Sequence, residues 1–298
     1  MKKQKLSTMV KMQLHSMILS KEFLAAILIN SAVVCYTLIF EANRTRKLDK
    51  VLTTTAGEAS VIFGESIGWS LFSILWPFLV VLPCATSFIQ EKKDGCVGTI
   101  VMRDGWDHYL KGKLIASAIG TAIAVGVPVL LNLISAFIIF PDNLNSVYTY
   151  QGINWVNLFS GENRGMISAA SSFFMIRLYF MNHFLYYFLY CIILAAFSGL
   201  CAAAVTAFSF RFSKSKIVLF IPLYAFVSSM MMLSPFTFQS ALAGRNVFCE
   251  PSIVEYLSAF GSRDASPVYF LLICVFLILI IIGFLNWAKK NPLSMIQG

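Results

Sequence analysis

Six stretches of the chain contain no Asp, Glu, Lys or Arg: Phe23–Phe40, Ser66–Gln90, Leu114–Pro141, Leu178–Phe210, Ile217–Gly244 and Ala265–Ala288. A helix needs about 20 predominantly apolar residues to cross the hydrocarbon core of a bilayer. Each stretch therefore predicts a membrane-spanning helix. The fourth and fifth exceed a single span and predict an added interfacial or re-entrant segment. Six spans place both ends of the chain on one side. Ahead of the first span, Leu6, Met9, Val10, Leu14, Met17 and Ile18 fall on one helical face, with Lys2, Lys5 and Lys11 mostly off it. This pattern predicts an amphipathic helix lying in the interface over residues 1–21, the alternative being a disordered basic tail. No small-residue cleavage site follows the first apolar run, so it reads as an uncleaved span rather than a signal peptide.

Composition agrees with the pattern. Of 298 residues, 58% are hydrophobic and 12% charged, against about 25% charged in soluble domains. The fold class is an all-α integral membrane protein, a single transmembrane domain over residues 1–298. The net charge of +9 is unevenly spread: 15 of the 23 Lys and Arg fall in the two ends and in the segments after the second and fourth spans. Basic residues concentrate on the cytoplasmic side of membrane proteins, so the termini are expected to be cytoplasmic, in a multi-pass protein of the cell membrane. The charge is thus a topology signal. Nucleic-acid binding needs a basic groove with stacking aromatics, and no segment supplies one. Of the seven cysteines, Cys35, Cys84, Cys191, Cys201 and Cys274 lie in apolar runs, Cys96 in a charged stretch and Cys249 in an outer segment. There is no CxxC and no Cys/His cluster with ligand spacing, so no metal site is expected.

Small residues recur every four positions in two spans: Ala116, Gly120 and Ala124 in the third, and Ala195, Gly199, Ala203 and Ala207 in the fourth. Such ridges let helix backbones approach closely in lipid, either within the chain or between two copies. Pro77, Pro83, Pro128 and Pro222 invite kinks. No acid lies deep within a span, which argues against an ion-coupled carrier. His15, His108 and His183 are too scattered for a paired catalytic site, and Asn30 and Asn132 are expected to bond between helices. GxxxxGK[ST] is absent: KGKLIAS lacks the upstream glycine and the hydroxyl after lysine. The chain is therefore not expected to be an enzyme, and any uphill transport must draw energy from another polypeptide. Two outer segments, residues 141–182 and 235–267, are long enough to shape a gate.

Between the second and third spans lies EKKDGCVGTIVMRDGWDHYLKGK, Glu91 to Lys113, with nine Asp, Glu, Lys and Arg in 23 positions. Val97, Ile100 and Val101 give a brief apolar face after Gly95, and Gly105 breaks the pattern. Trp106, Tyr109 and Leu110 then lead to Lys113, where membrane-edge aromatics belong. The segment predicts a short helix, a turn and an elbow into the third span. A short amphipathic helix of this kind can dock in a partner's groove.

At this loop the chain resembles the permease subunits of type-two ABC exporters. Glu91-Lys92-Lys93-Asp94-Gly95 is similar to the acid-to-glycine opening of that family's loop, and Gly112-Lys113 to its close. The family commonly has Gly-Thr-Leu-Glu where this chain has Gly95-Cys96-Val97-Gly98, and Thr-Pro within Arg103-Asp104-Gly105-Trp106. The resemblance implies a cytoplasmic coupling loop over residues 89–113, with Glu91, Gly95, Val97, Ile100, Val101 and Lys113 seating on an ATPase subunit. It also implies an outer re-entrant hairpin near Pro235–Ser262. The implied assembly has two ATPase copies and a second permease chain, identical or related, surrounded by membrane lipid. ATP and Mg would be bound by the ATPase, with no cofactor in this chain. An amphipathic or hydrophobic cargo, such as a peptide, drug or lipid, suits spans rich in Phe, Met and Leu. The alternative is a non-transporting membrane sensor, anchor or immunity subunit.

Overall fold

Three of the long helices start where a polar side chain caps the first turn. Ser20 Oγ accepts the Phe23 N–H at 3.1 Å, opening α2 (Lys21–Thr45). Ser66 Oγ accepts the Trp69 N–H at 2.9 Å, opening α3 (Ile67–Lys93). Each satisfies one of the donors that a helix start leaves without an intrahelical partner. The same device, Asn182 Oδ1 accepting the Leu185 N–H at 2.9 Å, separates short α6 (Ile176–Met181) from α7 (His183–Ser209). The computed structural model describes residues 6–46, 55–64, 66–140, 175–212, 217–229, 253–259 and 267–290. Its remaining helices are α1 (Leu6–Ile18), α4 (Cys96–Asp104), α5 (Trp106–Ile139), α8 (Phe220–Ser229), α9 (Ile253–Tyr256) and α10 (Pro267–Lys290).

Among the described residues there is no strand, only an isolated bridge between Phe63 and Ala259. Five helices, α2, α3, α5, α7 and α10, are long and apolar enough to cross a membrane. The described residues are thus mostly helical, and the five long apolar helices are those of a multi-pass membrane protein. Of the expected fifth span only residues 217–229 are described, and the rest of Ile217–Gly244 lies outside the described residues. So do Cys249 and most of the two outer segments. α3 and α5 stay helical through Pro77, Pro83 and Pro128.

Side-chain contacts set the helix directions. Asn30 of α2 lies at Ala124 and Val125 of α5, and Val34 at Asn132, so these two helices run parallel. α7 runs against α5, with Gly126 packed on Ala195 and Gly199 on Ala118. α3 runs with α7: the Trp76 indole N–H donates to Ser198 Oγ at 2.8 Å, and Phe88 meets Phe210 edge-on at 5.2 Å. α10 also runs with α7, through Phe270 on Phe197 and Phe284 on Phe208. The main core lies between α3, α5 and α7, around Trp76, Leu79, Leu133, Tyr186 and Leu194.

Polar side chains in the spans bond between elements. Asn30 Nδ2 donates to the carbonyls of Ala124 and Val125 at 3.3 and 3.0 Å. Asn132 donates to the Val34 carbonyl at 3.4 Å and accepts the Val61 N–H at 2.7 Å. That last bond anchors a buried connection between α2 and α3. Residues 56–63 of this connection are almost without exposure, and it is braced by reciprocal backbone bonds around Ala259.

Glu58 sits inside this connection, 5% exposed, with its carboxylate accepting the Thr55 N–H at 3.0 Å. Burial lifts its carboxyl from the ordinary 4.5 to about 7; the Thr55 hydrogen bonds and Arg44 oppose the shift, and Glu41 adds to it. The folded chain therefore holds a proton that the unfolded chain releases. Stability from this group is complete below about pH 4.5 and is lost as pH rises through about 7, by roughly 3 kcal/mol in total. The melting temperature in detergent is expected to fall between pH 5 and pH 8, and Glu58→Gln is expected to flatten that dependence. An unchanged slope in the variant would assign the pH effect elsewhere.

Candidate functional site

The charged stretch folds as an elbow. α3 ends at Lys93, α4 covers Cys96–Asp104, and α5 begins at Trp106. Two glycines make the corners. Gly95 has φ 70° and ψ 4°, in the left-handed region, and Gly105 has φ 87° and ψ 148°. The second conformation is essentially restricted to glycine. A helix–turn–helix reading of this segment was therefore legible from the two glycines.

Beneath the elbow lies a buried polar network. Lys113 Nζ is 2.7 Å from Glu91 Oε1, with the two side chains 3% and 15% exposed. The Tyr109 hydroxyl donates to Glu91 Oε2 at 2.6 Å, and Lys113 also donates to Gln13 Oε1 at 2.9 Å. Both carboxylate oxygens of Glu91 are thus used within the chain. The network joins α1, the end of α3 and the first turns of α5. Removing a charged pair from water costs several kcal/mol per ion unless the geometry is good and further hydrogen bonds complete it. Here Tyr109 and Gln13 complete it.

α1 runs alongside the start of α5, burying Met9, Gln13 and Met17. These residues lie at i, i+4 and i+8, so the packed face is centred on Gln13. The apolar face expected to lie in the interface is only partly covered: Leu6, Val10 and Leu14 are half-buried and Ile18 is exposed. Met9 packs over Gly112 and Met17 over Gly120.

The residues singled out from the sequence separate into inward and outward groups. Glu91 and Lys113 bind each other. Val97 is 2% exposed, in a cluster with Met9, Phe88, Tyr109, Leu110 and Phe210, and Ile100 and Val101 pack against that cluster. The apolar face of α4 therefore points into the chain rather than toward a partner. Gly95, Cys96, Thr99, Met102 and Arg103 are exposed, with Met102 at 87%. Gly120, Ala124, Gly199 and Ala203 are occupied within the chain or buried in it. Ala124 lies with Met17 and Phe23, and a Cβ on Gly199 would stand 2.6 Å from the Ala118 carbonyl oxygen. Ala203 is 7% exposed on α7.

Other contacts tie the elbow to the end of α10. The Trp106 indole N–H donates to the Ala288 carbonyl at 3.0 Å, and Asp107 pairs with Lys111 and Lys289, each at 2.7 Å. These exposed pairs contribute at most about 1 kcal/mol each. The start of α1, the ends of α3, α7 and α10, and the start of α5 all meet in one apolar cluster at this end. Beside it, between α1, α2, α3 and α4, opens a cavity of about 350 Å³ whose lining includes Glu22, Glu91 and Asp94. Among the described residues, no group of His, Cys, Asp and Glu could hold a metal ion.

Gln13 and Tyr109 were not singled out from the sequence as network members. Gln13 carried a signal, a polar residue at helical spacing between Met9 and Met17. Tyr109 reads from sequence as a membrane-edge anchor, and only the turn at Gly105 brings its hydroxyl to Glu91. No family model, curated protein or solved structure matches the chain.

Proposed function

We propose that the chain is the transmembrane subunit of an ATP-driven exporter of the type-two ABC class. It moves an amphipathic or hydrophobic cargo outward across the cytoplasmic membrane, and ATP is hydrolysed on a separate subunit. The observation that carries this reading is the elbow: a short helix between two spans, with an exposed outer face and a buried ionic network beneath it. Val97 of α4 shares an apolar cluster with Tyr109, and Glu91, Tyr109, Lys113 and Gln13 tie α3, α5 and α1 together, so a push on α4 is passed to all three. A helix that only connected two spans would need no such brace. The loop's resemblance to the family, at Glu91–Gly95 and Gly112–Lys113, supports the same reading.

In this proposal the chain has six spans. α7 and α10 run in the same direction, so the chain must return from the elbow end to the opposite end between residues 210 and 267, and the apolar run starting at Ile217 supplies the crossing. α1 and the end of α10 share the elbow end, and the concentration of Lys and Arg there supports a cytoplasmic position for it. The partner is an ABC ATPase in two copies, with ATP and Mg, and a second permease chain completes the pathway. Contact with the ATPase falls on Gly95, Cys96, Thr99, Met102 and Arg103. Val97, Ile100 and Val101 hold α4 to the permease.

Purification of the tagged chain in mild detergent tests the proposal. A stoichiometric P-loop ATPase is expected to accompany it and to be lost with Met102→Glu/Arg103→Glu, while the melting temperature stays within about 2 °C because both positions are exposed. Recovery of the folded chain alone at every detergent strength would favour a sensor or anchor subunit.

A further inference from the structure

At the elbow end, α7, α8 and α10 enclose an apolar cavity of about 310 Å³. Ala204 and Phe208 of α7, Leu223 and Phe226 of α8, and Phe276 and Phe284 of α10 line it. α10 is the least covered of the long helices, with Leu271, Leu272, Val275, Ile278, Leu279 and Ile282 exposed, so this groove adjoins the lipid-facing surface. From Cys201 to Phe208 it follows α7 for roughly 10 Å at 1.5 Å per residue. That is most of one leaflet's hydrocarbon depth, roughly 15 Å.

Shape alone selects nothing in a membrane, because lipid tails are as apolar as the groove. Selection needs a polar group at its mouth, and the aromatic contacts lead to one. Phe208 stacks on Phe212 at 4.5 Å and meets Phe284 at 5.5 Å. One turn on, the Arg211 guanidinium lies 5.4 Å from the ring centroids of both Phe212 and Trp287. These cation–π contacts hold the guanidinium beside both rings, and its fork of N–H donors suits a phosphate. Lys290 follows at the end of α10 and adds positive charge near this level, while Lys289 beside it is paired with Asp107.

We propose that this groove is a binding site for one anionic phospholipid of the elbow-end leaflet, its acyl chain between α7, α8 and α10 and its phosphate on Arg211. The proposal stands apart from the exporter reading, since a sensor or anchor could carry the same site.

The test uses Trp287 as the reporter. The full chain is reconstituted in vesicles containing either dibrominated phosphatidylglycerol or dibrominated phosphatidylcholine, and the quenching lost in Trp287→Phe is assigned to this site. Half-maximal quenching is expected at about fivefold lower mole fraction of the anionic lipid, the size of effect that one Arg near a charged headgroup supplies. Arg211→Gln should remove the preference, Arg211→Lys should restore most of it, and Ala204→Phe, which fills the groove, should weaken quenching by the anionic lipid. Equal quenching by the two lipids in the unmodified chain would mean ordinary boundary lipid and overturn the proposal. So would a preference that survives Arg211→Gln. Relief of quenching from either lipid alike by an uncharged long-chain alcohol would make the groove a site for apolar cargo instead.

Discussion

Replacing Lys113 with alanine is expected to cost about 3–5 kcal/mol, the penalty for leaving one member of a buried ion pair without its counter-charge. Glu91 keeps the Tyr109 hydroxyl but loses its cation, and Gln13 loses its donor. Because the network joins three helices, the loss falls on the elbow as a whole. The melting temperature in detergent should drop, and trypsin should cut sooner after Lys92, Lys93 or Arg103. Glu91→Gln alone should cost at least as much, because it leaves Lys113, the more buried of the two charges, without its counter-charge. The double variant Lys113→Met/Glu91→Gln separates pair from packing. It should recover most of the stability, since replacing both charges of a buried pair is often neutral or favourable. In the exporter reading, that double variant remains folded yet couples poorly, because apolar contact transmits a push less rigidly than the braced pair. A double variant as unstable as Lys113→Ala would show that the volume of Lys113, and not its charge, supports the elbow.

Gly199→Leu should prevent close packing of α5 on α7. A Cβ at this position would stand 2.6 Å from the Ala118 carbonyl oxygen and 3.3 Å from its carbon. The obstruction is helix backbone, which cannot rotate aside as a side chain can. Gly199→Ala is expected to destabilise by about 1–3 kcal/mol, the usual range for overpacking, despite alanine's better helix propensity. Leucine, with a longer side chain against the same backbone, should lower the yield of folded protein from membranes severalfold. Gly283→Ala in α10 is the control, since a Cβ there meets nothing within 4 Å, and it should be neutral or slightly stabilising. Similar losses from both alanine variants would detach the effect from the α5–α7 contact.

The long helices were legible because each apolar run must satisfy its backbone hydrogen bonds internally in a hydrocarbon environment. The starts of three of them were fixed only in the structure, by the caps at Ser20, Ser66 and Asn182. The elbow was legible for a similar reason: Gly95 and Gly105 interrupt a helical pattern, and their positive φ values are those that glycine adopts most readily. The side chains of the elbow were less legible. Val97, Ile100 and Val101 form an apolar face whether they meet a partner or the chain's own Met9, Phe88 and Tyr109, and periodicity does not distinguish the two. Small-residue spacing at Gly120 and Gly199 has the same ambiguity, which the contacts with Met17 and Ala118 resolve in favour of packing within the chain.

The sequence by itself determined the class of protein, the positions of the long apolar helices, the corners of the elbow and the expectation that Asn30 and Asn132 bond between helices. These are properties of single segments, governed by hydropathy and backbone freedom. Only the tertiary structure decided that Glu91 and Lys113 neutralise each other, that Gln13 and Tyr109 complete the pair, that α4 turns its apolar face inward, and that Glu58 is buried in the connection between α2 and α3. Each of these depends on which segments come together, and a charged residue reads the same in sequence whether its partner is water or a lysine 22 positions away.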